Sequence, residues 1–374
     1  MSFRQAAQFG MVGAWIFAAG IGAEGQQSTS TAPPAASAPS ATITVNAQLV
    51  NLPVIVRDKK GAIVQNLTKA DFALSVDGHP QTIRYFDKDD DLPLTLGLLV
   101  DTSGSVRSAL EDERRASEAF LDQMMTEPAA AASTRVPDKA FLIQFAHETD
   151  LLEDLTSSRP ALRDALNRVG EESGDDGQNS QGNNGGRGGY GHHGGWHHAG
   201  GTTLYDAIYL ASDNLMKKQQ GRKAVVVLTD GEDRGSMETL ASAIAAAQRA
   251  ETVVYAIYFK GEQHGGGGHG GGWGGHGGYP GGGGGGRGGE KPVDGKKVLE
   301  QITGETGGRM YEVSEKQNFA AIYTQIAEEL RSQYRLGYTP DAATSAAGFH
   351  RVDLTLTKDK KLFVQTRDGY YTGS

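Results

Sequence analysis

Asp101, Ser103 and Ser105 alternate in the stretch LGLLVDTSGSV (residues 96–106), directly after a run of apolar residues. A second acid, Asp230, ends the apolar run AVVVLTDG (residues 224–231), and two hydroxyls, Thr202 and Thr203, stand together in GGTTLYDAI (residues 200–208). Carboxylate and hydroxyl oxygens are hard donors. Such an all-oxygen set suits Mg²⁺, Mn²⁺ or Ca²⁺ rather than zinc. Along an extended segment residues 101, 103 and 105 point to one side, and Gly104 allows a tight bend. If the hydroxyls bind directly and the acids partly through water, one position on the cation stays open. An incoming carboxylate from a partner would then be favoured. That is a binding device rather than a catalytic one. The plainer reading of DTSGS is a strand-to-helix turn with a serine capping the helix.

The elements around these residues decide between the two. LTLGLLV (residues 94–100) is almost wholly apolar, which suits a strand buried on both faces of a parallel sheet. Helical spacing follows over residues 108–125, with EDERR (residues 111–115) read as its solvated face. Strands are expected over residues 139–146, 148–156, 223–231, 252–259 and 309–313. Helices are expected over 159–169, 204–218, 237–250, 295–307 and 318–334. Alternating strands and helices imply an α/β fold, a doubly wound and mostly parallel sheet. Both Asp101 and Asp230 then fall at carboxyl ends of strands, where open α/β sheets bind ligands.

The ends of the chain read differently. Residues 43–58 have strand character, and residues 71–86 read as two strands around the Asp77–Gly78 turn. Residues 333–340, 350–357 and 362–371 are strand-like again. Domain ends are often close in space, so the N-terminal module (residues 42–91) and the C-terminal strands (residues 335–374) are expected to form one small β-sandwich-like unit, with the α/β domain (residues 92–334) inserted.

Composition narrows the functional classes. The net charge of −9 argues against non-specific binding to nucleic acid or to anionic membrane. With no cysteine there are no disulfides, thiolate zinc sites or cysteine nucleophiles. Of the 53 glycines, 12 lie between Glu171 and Gly201 and another 20 between Gly261 and Glu290, so two inserts (residues 171–201 and 261–292) hold most of them. His192, His193, His197, His198, His264, His269 and His276 lie in these inserts, interleaved with Tyr190, Trp196, Trp273 and Tyr279. Such tracts can bind transition metals weakly, or serve only as low-complexity loops. Arg4 precedes an apolar stretch ending in small residues (residues 10–23), which reads as a signal peptide over residues 1–23. A Pro/Ala/Ser linker follows over residues 24–41. The expected location is exported, periplasmic or extracellular, or membrane-anchored if the signal stays uncleaved.

DTSGS, then GGT ending at Thr202, then LTDG carrying Asp230, in this order and on strand ends, resemble the metal-ion-dependent adhesion site of von Willebrand factor type A (VWA) domains. The resemblance covers roughly residues 92–334. It implies that the Ser103 and Ser105 hydroxyls coordinate a divalent cation with Thr202, and that Asp101 and Asp230 complete the set, Asp230 directly or through water. Thr203 is the neighbouring alternative to Thr202. The flanking segments resemble the bacterial VWFA-related family common in acidobacteria, whose members are predicted to be exported. The two glycine- and histidine-rich inserts depart from that pattern.

The resulting expectation is an exported protein that binds a divalent cation and holds a protein partner through an acidic residue. No turnover, small-molecule substrate or nucleic acid is expected. Two alternatives stay open. One is a Mg²⁺-dependent hydrolase on the same fold, with His147 and Glu232 as candidates by proximity alone. The other is a structural envelope component with a vestigial metal site. An aspartic protease needs two facing Asp-Thr loops, and the chain has a single Asp-Thr-Ser on an α/β pattern.

Overall fold

The computed structural model describes residues 49–88, 92–125, 136–171, 201–260, 294–341, 344–358 and 361–373. The expected signal peptide, the linker, the start of the first expected strand and the histidines and aromatics of both inserts lie outside the described residues.

The chain enters through β1 (Val50–Arg57), β2 (Phe72–Val76), β3 (His79–Gln81) and β4 (Ile83–Lys88). Val50, Leu52, Val54 and Val56 alternate along β1 and are all buried, as in a strand with one face in a core. Asp77 and Gly78 both take positive φ, 51° and 79°, which a two-residue hairpin turn of this kind requires. The single strand expected over residues 79–86 is broken at Thr82, so β3 and β4 join different sheets.

The middle of the chain alternates β5 (Leu94–Asp101), α1 (Leu110–Met124), β6 (Lys139–Phe145), β7 (Thr149–Thr156), α2 (Arg159–Asn167), α3 (Leu204–Tyr209), β8 (Arg222–Thr229), α4 (Leu240–Arg249), β9 (Val253–Tyr258), α5 (Gly295–Thr306), β10 (Met310–Glu312) and α6 (Phe319–Arg331). The sheet order is β10-β9-β8-β5-β6-β7. Every neighbouring pair is parallel except β6 and β7. All eight residues of β5 are buried. Leu94, Leu96, Leu98 and Val100 pack with residues of α1, α2 and α6, while Leu99 packs with α3, α4 and α5 on the other face. The doubly wound α/β expectation therefore holds. β6 and β8 flank β5 on opposite sides, so the winding reverses there and opens a crevice beyond the carboxyl ends of these strands.

Three local expectations change. The helix expected over residues 204–218 is α only to Tyr209, then passes through a π turn (Leu210–Leu215) and a 3₁₀ turn (Met216–Lys218). EDERR is not uniformly solvated. Leu110, Glu113, Ser117, Phe120 and Leu121 form the buried stripe of α1, and the three- and four-residue spacing turns Glu113 inward. Residues 333 and 334, shared between the last expected helix and the strand expected after it, fall outside α6, which stops at Arg331, and Tyr334 opens β11 (Tyr334–Tyr338). Its ring stacks on Phe86 with centroids 5.2 Å apart, and its hydroxyl donates to Val64 O at 3.0 Å.

β12 (Gly348–Leu356), β13 (Phe363–Gln365) and β14 (Gly369–Thr372) follow. They close two four-stranded sheets, β13-β1-β11-β4 and β14-β12-β2-β3, each mixing strands from both ends of the chain. One core joins the sheets through Leu52, Val54, Leu74, Leu336, Tyr338 and Leu354. The sandwich is fastened to the α/β unit by buried polar groups. Arg57 pairs with Glu329 of α6, whose carboxylate also accepts the Tyr311 hydroxyl. Gln365 donates to the carbonyls of Gly307 and Gly308 at 2.9 and 2.6 Å, and Arg367 to Gln248 O of α4 at 3.3 Å. Gly307 and Gly308 precede β10, so this fastening sits at the amino ends of the parallel strands. Asp101 and Asp230 sit at the opposite ends.

His350 ties the sandwich together. Its Nδ1 lies 2.7 Å from Asp77 Oδ2, and its Nε2 lies 2.7 Å from Ala346 O and 3.0 Å from Thr372 Oγ1. Burial alone would lower its pKa, but the Ala346 carbonyl and the Asp77 carboxylate outweigh burial and raise it. A raised folded pKa means the ring stabilises the fold below the unfolded value of about 6.5 and loses that contribution as pH rises through the folded value. The stability difference between wild type and His350→Gln, read from urea midpoints over a pH series, is expected to shrink as pH rises above about 6.5. A difference constant over that series would contradict the charged pair.

Candidate metal centre

Asp101 is the last residue of β5 and Thr229 the last of β8. Leu99 and Val227 share one face of the sheet, and the period of two puts Asp101 and Thr229 on that same face. The Thr229 hydroxyl donates to Asp101 Oδ2 at 2.6 Å, and the Ser103 amide donates to Asp101 Oδ1 at 2.8 Å. Residues 103–106 form a turn, with the Val106 amide 3.2 Å from Ser103 O, so the segment is not extended as the alternation suggested. The turn itself brings Ser103 Oγ and Ser105 Oγ to 3.2 Å. Two hydroxyls at that spacing can face one small cation.

Asp230 follows β8 directly. Its Oδ1 accepts the Glu232 amide at 3.0 Å, and Gly231 N donates to Thr229 Oγ1 at 3.1 Å. Gly231 has a φ of 76°, and a Cβ there would lie 2.3 Å from Gly295 O, so the turn that presents Asp230 requires glycine.

The third segment, residues 201–203, lies between β6 and the loop after β8. Thr203 N donates to Ala146 O at 2.9 Å, and the amides of Arg234 and Gly235 donate to Thr202 O at 3.0 and 3.3 Å. The Thr203 hydroxyl is spent on Thr149 Oγ1 at 2.8 Å and Ala146 O at 3.3 Å. Of the two candidate hydroxyls, Thr202 is therefore the one this loop can offer.

Asp101 is fully buried, and among the described residues neither it nor Asp230 forms an ion pair. Burial pushes the Asp101 pKa up to about 6. Hydrogen bonds from Ser103 and Thr229 pull it back in part, and the nearby Asp230 charge adds to the rise. Asp230 thus lies within electrostatic reach of Asp101. No group of three or more His, Asp or Glu able to hold a metal occurs among the described residues, so any cation here depends on hydroxyls as well as acids. Glu232 is paired with Arg234, and His147 is exposed beside Gly201. Sequence reasoning missed Thr229. The signal was its place in LTDG, one residue before Asp230 and in phase with Asp101 across the sheet.

Residues 196–325 match the family model of the von Willebrand factor type A domain. The match spans 130 of the 374 residues. The matched segment contains Thr202 and Asp230, while Asp101, Ser103 and Ser105 precede it. Domains of this family serve mainly in adhesion and protein–protein interaction and commonly bind a divalent cation. Among solved structures the chain is similar to BatB from Bacteroides thetaiotaomicron, at 15% identity over 63% of this chain and 97% of that one, with a TM-score of 0.40. It is also similar to proximal thread matrix protein 1 from the mussel byssus with a zinc-occupied MIDAS motif, at 14% identity over 68% of this chain and 49% of that one, with a TM-score of 0.41. A von Willebrand factor type A protein from Catenulispora acidiphila matches at 12% identity over 83% and 76% of the two chains, with a TM-score of 0.41. No curated protein sequence matches the chain.

Proposed function

We propose that this chain is an exported protein whose VWA domain binds a divalent cation and uses it to capture a carboxylate of a protein partner. Mg²⁺ is the expected ion, with Mn²⁺ and Ca²⁺ as alternatives. Ser103, Ser105 and Thr202 supply hydroxyl oxygens, and Asp101 and Asp230 supply carboxylate oxygens, directly or through water. When bound, the cation provides a positive centre that seeks a further oxygen. The site is assigned no turnover. Export rests on the apolar stretch of residues 10–23.

One observation carries the reading. A fully buried carboxylate, with no cationic side chain in an ion pair among the described residues, stands beside two hydroxyls 3.2 Å apart, at the switch point of the sheet. An unpaired buried charge is costly, and a divalent cation held by the same oxygens offsets that cost. Peptides bearing Asp or Glu, arrayed and probed with the chain in Mg²⁺ and in EDTA, test the proposal. Capture should need both Mg²⁺ and Asp101, and should vanish when the peptide carboxylates are amidated. Capture indifferent to chelation would contradict it.

Thr229 orients the Asp101 carboxylate without being one of the proposed ligands. Replacing such a supporting hydrogen bond typically weakens metal affinity tenfold or more. Thr229→Val is therefore expected to weaken Mg²⁺ binding by about tenfold, and Thr229→Ser to retain it. Calorimetric titration checks this, and equal affinity in the Val variant would show that the hydrogen bond is dispensable.

A further inference from the structure

Thr202 follows two glycines, Gly200 and Gly201, in sequence. Glycine loses more backbone freedom on ordering than any other residue, so the segment needs something to fix it. Backbone bonds to Ala146, Arg234 and Gly235 hold Thr202 and Thr203. Gly201 is held by a side chain instead. His147 Nδ1 lies 2.9 Å from Gly201 N and 3.0 Å from Gly201 O. On the other side, a Cβ at Gly201 would lie 2.6 Å from the Arg234 carbonyl carbon. Gly201 is thus wedged between the imidazole and the loop after β8.

The chemistry of the contact is unusual in one respect. With Nδ1 bare, its lone pair accepts the Gly201 amide. With Nδ1 protonated, it donates to the Gly201 carbonyl. One bond is made in either state, so the ring pins Gly201 whatever its tautomer or charge. His147 is exposed, so it has no core packing to lose on replacement.

We propose that His147 is a positioning residue for the metal centre: it pins Gly201 and so holds the Thr202 hydroxyl where the cation needs it. The proposal rests on the metal reading above and adds a residue outside the proposed ligand set.

The test uses the full chain as wild type, His147→Ala, His147→Asn and Asp101→Ala. Two quantities are read: amide hydrogen exchange at residues 201–203 without metal, and Mg²⁺ affinity by calorimetry. His147→Ala should speed exchange at Gly201 and weaken Mg²⁺ binding about tenfold, with thermal unfolding unchanged. His147→Asn should restore both, because an amide side chain can accept or donate from nearly the position of Nδ1. If Asp101→Ala abolishes binding while His147→Ala leaves both affinity and exchange unaltered, the positioning role is overturned and the metal site stands. If Ala and Asn variants are equally weakened, the hydrogen bond is not the cause and the proposal fails. Unchanged Mg²⁺ binding in Asp101→Ala overturns the metal reading, and the positioning role with it.

Discussion

Asp101→Asn should make the metal-free chain more stable and remove its response to Mg²⁺. Burial is the main reason the Asp101 carboxyl titrates near 6 in the fold, against about 3.9 in the unfolded chain. A carboxyl whose folded pKa is raised disfavours its own charged form. The fold therefore loses stability as pH climbs above about 4, and the loss is complete above the folded value. Two pKa units correspond to a cost on the order of 3 kcal/mol at about pH 7.5. Asparagine removes the charge and keeps an oxygen for the Ser103 amide. In EDTA the variant should therefore unfold at a higher urea midpoint. Adding Mg²⁺ stabilises only a fold that binds it, so wild type should gain and the variant should not. Equal midpoints in EDTA, or equal gains with Mg²⁺, would contradict this account of Asp101.

Glu113→Gln is the second large effect, and it should be indifferent to metal. Glu113 is fully buried between α1 and α6. Its Oε1 accepts Ser117 Oγ at 2.5 Å and the Tyr323 hydroxyl at 3.2 Å, while its Oε2 has no hydrogen-bond partner among the described residues. The Tyr323 ring stacks on Phe120 with centroids 4.7 Å apart. Burial pushes the Glu113 carboxyl up to about 7, and the Ser117 and Tyr323 hydroxyls only partly oppose it. The folded pKa again lies above the unfolded one, so the cost grows from about pH 4.5 and is complete above the folded value. Glutamine mimics the protonated acid. At about pH 8.5 the variant should be more stable than wild type by on the order of 3 kcal/mol, with the advantage gone near pH 4.5. Urea unfolding across this range checks it. An advantage that did not change with pH would mean that ionisation of Glu113 is not what costs stability. Only the Asp101 contribution should disappear on adding Mg²⁺, which separates the two.

Much of the architecture was legible because it depends on hydrophobic period. The unbroken apolar run at residues 94–100 marked a central strand, and the alternation of Val50, Leu52, Val54 and Val56 marked a half-buried one. What the sequence hid depends on contacts distant in the chain. Tyr334 fits both the end of a helical pattern and the start of a strand, and its pairing with Val54 and Lys88 decides for the strand. Glu113 sits in a charged run, and its burial follows from the phase of α1 set by Leu110 and Phe120 rather than from its own chemistry. Thr82 separates β3 from β4 because the chain must change sheets there.

The candidate site divides along the same line. The oxygen-bearing residues and their strand-end positions could be read from spacing. The turn that brings Ser103 and Ser105 together, the Thr229 bond to Asp101 and the use of the Thr203 hydroxyl elsewhere could not. The last two depend on neighbours remote in sequence, and the first on a local turn that the alternation of residues concealed. His147 shows the limit most plainly. It reads as a solvated loop residue, and it is exposed, yet its ring is bonded to a glycine 54 positions away.

The central claim is that these oxygens form a metal site. Calorimetric titration of Mg²⁺ into the purified full chain and its Asp101→Ala variant tests this most directly. The account predicts saturable single-site binding in the wild type and none in the variant. Indistinguishable heats in the two proteins would contradict it, and would leave DTSGS as the turn between a buried strand and its helix.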